Sequence, residues 1–141
     1  MIRKVLTSVT VLAAVVLLAA ASCADTGSTE RDTVATTSDL YDKISELRRT
    51  KQTAQLRSLT DFNWDGVFCY YEGAPTDEIN SAVGDVVEEP GHRLAVSGAL
   101  AVFVQGGKPV RKARIPEINF EVRRYSNEVL VKEGFELTEP T

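Results

Sequence analysis

Histidine occurs once and cysteine twice in this chain of 141 residues, and these scarcities remove several familiar chemistries. An exported domain stapled by disulfides shows four or more cysteines at regular spacing, so this fold must stand on packing. Zinc is not expected, because one imidazole and one available thiol fall short of a usual ligand set. Any Ser-His-Asp or Cys-His mechanism would have to run through His92, which follows Pro90-Gly91 and reads as an exposed loop residue. Gly106-Gly107-Lys108 lacks the frame of a phosphate loop and reads as a hairpin tip. There are no internal repeats. The chain thus points to no catalytic residue, no metal site and no cofactor.

Long apolar runs are also missing. The longest, residues 11–21, falls short of the ~20 residues that a membrane span requires. It follows Arg3 and Lys4 and ends in small residues, Ala19, Ala20, Ala21 and Ser22, which is the layout of a signal peptide over residues 1–22. That segment holds two basic and no acidic side chains. The remainder therefore carries 14 Lys and Arg against 20 Asp and Glu, a net charge of −6 instead of −4. No nucleic-acid partner is expected of an acidic surface without a basic block, since duplex binding rests on neutralising phosphates. Arg111, Lys112 and Arg114, with Arg123 and Arg124, read as solvated strand faces; a basic patch is the alternative.

The stretch A-A-S-C at 20–23 resembles the lipobox of bacterial lipoproteins. In that family a small-residue triplet precedes a cysteine that is thioether-linked to diacylglycerol and becomes the new N-terminus. Ala21, Ser22 and Cys23 match, while Ala20 stands where the family usually has Leu. The resemblance implies lipidation at Cys23 and a membrane partner reached through two acyl chains, the number that stable anchoring takes. Two alternatives remain: cleavage after Ala24, which secretes the domain without Cys23, and a leader retained as an anchor. Residues 24–38 contain seven Ser or Thr and one large apolar side chain, Val34. With Cys23 they read as a flexible tether, residues 23–38, of roughly 20 Å root-mean-square reach.

The rest, residues 39–141, reads as a single α+β domain. Leu40, Ile44 and Leu47 recur at helical spacing, with acids early and Arg48, Arg49 and Lys51 late. Thr53 is placed to cap a short turn carrying Ala54, Leu56 and Leu59. Thr76 is placed to cap a second helix with Ile79, Ala82 and Val83 buried and Gly84 ending it. Residues 94–105 and 110–115 read as strands joined by Gly106-Gly107, and further segments follow at 120–125 and 129–137. The expected fold is a mostly antiparallel sheet of about four to five strands with the helices on one face.

One stretch offers two readings. D-F-N-W-D-G-V-F-C-Y-Y-E at 61–72 matches the EF-hand pattern D-x-N-x-D-G-x5-E, with Asp61, Asn63, Asp65 and Glu72 as calcium ligands and the Val67 carbonyl between them. Yet Gly73-Ala74-Pro75 cannot propagate the helix that must leave such a loop. The strand reading puts Phe62 and Trp64 in the core, allows Gly66 a bulge, and makes residues 67–71 a central strand buried on both faces with Cys69 as a small hydrophobe.

The run D-F-N-W-D-G-V-F, the Pro75-Thr76 helix start and the L-A-V-F-V strand before G-G-K are similar to small uncharacterised bacterial lipoproteins. In those, a Phe-x-Trp-Asp-x-Val motif opens the first strand. The resemblance spans roughly residues 53–115 and implies an envelope location and the strand reading, without an activity. The function expected is that of a membrane-anchored extracytoplasmic lipoprotein, a non-enzymatic module binding an envelope protein or ligand. The alternatives are a secreted or tethered hydrolase inhibitor and a weak calcium-binding protein acting through residues 61–72.

Overall fold

The computed structural model describes residues 34–133 and 136–141. The leader, Cys23 and most of the expected tether lie outside them. In chain order the elements are β1 (Thr36–Thr37), α1 (Leu40–Thr50), β2 (Ala54–Gln55), a 3-10 turn (Leu56–Leu59), β3 (Gly66–Tyr71), α2 (Thr76–Val83), β4 (Ala99–Gln105), β5 (Lys108–Ile115), β6 (Arg124–Ser126), β7 (Leu130–Val131) and β8 (Leu137–Thr138). Five strands form one sheet in the order β1-β5-β4-β3-β6, and three short ones form a second, β2-β7-β8. Every pair is antiparallel except β1 with β5, so the larger sheet is mixed. The middle strand is β4, with β3 beside it, which corrects the expectation that residues 67–71 are central.

Both helices form where their periodicity places them. Leu40, Ile44 and Leu47 are the buried residues of α1, and Lys43 pairs with Asp39 across one turn at 2.6 Å. In α2 the cap position belongs to Pro75, and Thr76 sits inside the first turn, fully enclosed. Its hydroxyl donates to the Glu89 carbonyl at 2.7 Å and accepts from His92 N–H at 3.1 Å. The side chain thus holds the following loop instead of the helix end. Asn80 does the same one turn on, accepting from Val87 and Glu88 N–H and donating to the Glu88 carbonyl.

The core divides by strand parity, because successive side chains of a strand point to opposite faces. Val67 and Cys69 of β3, Ala99, Ala101 and Phe103 of β4, and Ala113 and Ile115 of β5 cluster with Leu40, Ile44 and Leu47 of α1. Tyr70, Leu100 and Val102 cluster instead with Ile79 and Val83 of α2. The helices therefore serve opposite faces of the sheet, and the expectation of one shared face is corrected. On the α1 side, Cys69, Ala101 and Ala113 lie abreast across three strands, a row of small side chains facing the leucines and isoleucine of the helix.

Several boundaries move for local reasons. Thr36–Thr37, placed within the tether by sequence, forms an edge strand on β5, and Val34 packs against the α2-side cluster. The capped turn expected after Thr53 is a 3-10 turn starting after Gln55, and Thr53 accepts a hydrogen bond from Glu133 N–H at 3.3 Å. Residues 120–123 form no strand because two tyrosine hydroxyls take over the ladder's role. Tyr71 OH donates to the Phe120 carbonyl and accepts from its N–H, and Tyr125 OH does likewise with Glu121. The irregularity that sequence assigned to Gly66 lies elsewhere, between Phe103 and Val104 where β4 and β5 shift register.

The β4–β5 hairpin turns on Gly106 and Gly107, both at positive φ (58° and 78°), as a tight turn of this hand requires. At the other end of β4, Gly98 has φ 97°, and a Cβ there would collide with the Ile115 carbonyl. The ladder with β5 starts just past it at Ala99, while Leu94 exchanges backbone hydrogen bonds with Gly73 and Ala74 instead. Gly98→Ala is expected to lower stability by about 2 kcal/mol or more. A urea titration would show this as a reduced midpoint at unchanged slope; a midpoint equal to wild type would mean the backbone adapts freely.

Candidate functional site

Between the 3-10 turn and β3 the chain runs irregularly through residues 60–65. Trp64 is 3% exposed and Phe62 is half-buried, each packed edge-on against Phe103, with ring centres 5.0 and 5.1 Å away. Sequence alternation thus predicted the burial but not the backbone, since β3 starts only at Gly66. The Trp64 indole N–H donates to Thr60 Oγ1 at 2.9 Å, which ties the start of the segment to its end.

Asp65 holds this segment against two others. One carboxylate oxygen accepts from Gly106 N–H at the hairpin tip, at 2.8 Å, and the other from the Arg124 guanidinium of β6, at 3.0 Å. Asp65 N–H donates to the Val104 carbonyl at 2.9 Å. Gly66 leaves the room in which the guanidinium lies, because a Cβ there would strike it.

These ties frame a groove of about 590 Å³ lined by Arg57, Thr60, Asp61, Phe62, Asn63 and Trp64 on one side and Gln105 and Asn127 on the other. The side chains of Arg57, Asp61, Asn63, Gln105 and Asn127 make no hydrogen bond or ion pair with any described residue. A second groove of about 480 Å³ lies between residues 119–125 and 136–139. There the polar groups largely satisfy one another: Tyr71 stacks on Phe120 at 4.0 Å, Arg123 pairs with Glu121, and Glu139 accepts from Ser126. The first groove therefore has the greater unmet hydrogen-bonding capacity.

The calcium arrangement does not form. An EF-hand loop folds its first and last ligands around one ion. Here β3 runs extended between Asp65 and Glu72, about 20 Å at ~3.3 Å per residue, and the Asp65 carboxylate already has two partners. Among the described residues no group of three His, Cys, Asp or Glu could hold a metal ion.

The remaining candidates are scattered. His92 is exposed, with Nε2 3.6 Å from a Glu89 carboxylate oxygen, and lines neither groove. The basic residues form no patch: Arg111, Lys112 and Arg114 lie on β5, while Arg123 and Arg124 sit before and at the start of β6, with β4 and β3 between. Each has its own neighbour, Phe62 for Arg111, Glu88 for Lys112, Tyr41 for Arg114, Glu121 for Arg123 and Asp65 for Arg124. Cys69 is wholly buried, and burial pushes its thiol up to about 12. Burial, with a smaller contribution from Cys69, also raises Tyr70 to about 12. Such a thiol is inert as a nucleophile.

No helix among the described residues is long and apolar enough to cross a membrane. Comparison with protein-family models, curated proteins and solved structures found no match for this chain.

Two outcomes follow from this geometry. Terbium at millimolar concentration should give no emission sensitised by Trp64, and a saturable signal would restore the calcium site. The second concerns alkaline pH. Below pH 9.0 the Cys69 thiol is protonated whether the chain is folded or unfolded, so its contribution to stability is whole. As pH rises toward about 12 the unfolded chain loses the proton first, so stability falls by up to ~1.4 kcal/mol per pH unit from this group. The urea midpoint should therefore drop above pH 9, and Cys69→Ala should flatten the drop; parallel pH profiles would contradict it.

Proposed function

We propose that the chain is a lipid-anchored domain on the extracytoplasmic face of a bacterial membrane, held through Cys23, whose role is to bind an envelope component. The observation that carries this reading is the cysteine at 23, directly after a short apolar run and the small residues Ala21 and Ser22. A diacylglycerol there supplies two acyl chains, enough for stable anchoring. Ten residues, 24–33, separate Cys23 from Val34, which packs against the domain. Binding is favoured over chemistry by the character of the larger groove, which gathers amide, carboxylate and guanidinium groups beside Phe62 with no histidine or cysteine among them.

Radiolabelled palmitate fed to bacteria expressing the full chain tests the anchor. The wild-type chain should carry label and sediment with membranes, and Cys23→Ala should lose both. A wild-type chain without label would end the lipoprotein reading.

A further inference from the structure

We infer that the groove bounded by residues 57–64, Gln105 and Asn127 is a binding site for a neutral saccharide. The inference gives a ligand class to the binding-module reading above, on which it rests, and does not depend on the anchor.

The groove is held open by bonds that leave its lining free. Asp65 fastens the hairpin tip and β6 to the segment, and Trp64 fastens that segment to Thr60. Five lining side chains, Arg57, Asp61, Asn63, Gln105 and Asn127, have no partner among the described residues. The backbone frame is fixed, while the lining side chains keep their hydrogen-bonding capacity for a ligand, which orders them as it binds.

The chemistry of those groups selects the ligand. Sugar hydroxyls each donate and accept, and neighbouring hydroxyls match planar forks: a carboxylate accepts two bonds, a guanidinium donates two, an amide does one of each. All three kinds face this groove. Asp61 and Arg57 cancel in charge, and Asp65 is neutralised by Arg124 at 3.0 Å, so the lining favours an uncharged molecule. Half-buried Phe62, which already meets Phe103 and the Arg111 guanidinium, adds what remains of its ring as an apolar contact for a sugar's C–H groups.

The other ligand classes fit less well. A divalent cation would find one uncommitted carboxylate, Asp61. A peptide needs an unpaired strand edge or an apolar trough, whereas this lining is mainly polar side chains. The volume, about 590 Å³, lies within the range of ~300–1,000 Å³ usual for small-molecule sites.

The test uses the full chain in a zwitterionic detergent free of sugar headgroups, with tri-N-acetylglucosamine and maltotriose as probes. Saturation-transfer NMR should show binding of at least one of them near ~1 mM. Asn63→Ala and Asn127→Ala should each weaken it about fivefold, the effect of losing a hydrogen bond. Neither side chain bonds to a described residue, so their urea midpoints should equal wild type, which separates lost contacts from lost fold. No transfer from either sugar at ~10 mM, or transfer undiminished in both variants, overturns the site. Palmitate labelling of the same samples keeps the two ideas apart: label without sugar binding leaves the anchor standing alone, and sugar binding without label does the reverse.

Discussion

Six consecutive residues of β4, Ala99 through Val104, are buried, so along its middle strand the large sheet leaves neither face to water. The rest of the domain answers to that constraint. A strand with side chains enclosed on both sides needs two covers, and the chain supplies α1 for one face and α2 for the other. It also needs a hydrogen-bonded neighbour on each side, which β3 and β5 provide along nearly its whole length. The loop after α2 then has to be held down, because Val87 and Leu94 belong to the same cluster as Val102. Thr76, Asn80 and Lys112 do this with hydrogen bonds to its backbone. At the edges, β1 and β6 are only two and three residues long, where burial no longer demands a full partner.

The parts that were legible in the sequence are those fixed by neighbours in the chain. Both helices show in their apolar spacing, and the β4–β5 hairpin shows in Gly106-Gly107. The parts that were not legible are fixed across the chain. Nothing in Thr36-Thr37 marks a strand; β1 exists because the outer edge of β5 offers it backbone groups. Residues 60–65 alternate like a strand, yet their aromatic side chains reach Phe103 from an irregular backbone that Asp65 and Trp64 tie in place. Val122 sits at a strand-like position and is 62% exposed, and two tyrosine hydroxyls pin the two residues just before it, Phe120 and Glu121. Opposite helix faces were equally hidden, since periodicity shows which stripe of a helix is buried but not which side of a sheet receives it.

The candidate groove was legible only in part. Its first wall, Asp61 with Asn63, lies within the stretch that the calcium pattern singled out. The other wall is made by Gln105 at a hairpin tip and Asn127 after β6, ordinary turn residues whose placement beside Asn63 needs the sheet order. The composition of the lining, polar and nearly balanced in charge, appears only once three separate segments are brought together.

Arg124 bears on the calcium-like pattern in one further way. Its guanidinium lies against Asp65, so the pattern carries a positive charge of its own, joined to it by the peptide chain. A dissolved ion must be present at sufficient concentration to occupy a carboxylate; a tethered one is present at a local concentration set by the fold. The loop's shape is thereby uncoupled from the mineral content of its surroundings. The same groove therefore forms in hard water and in soft.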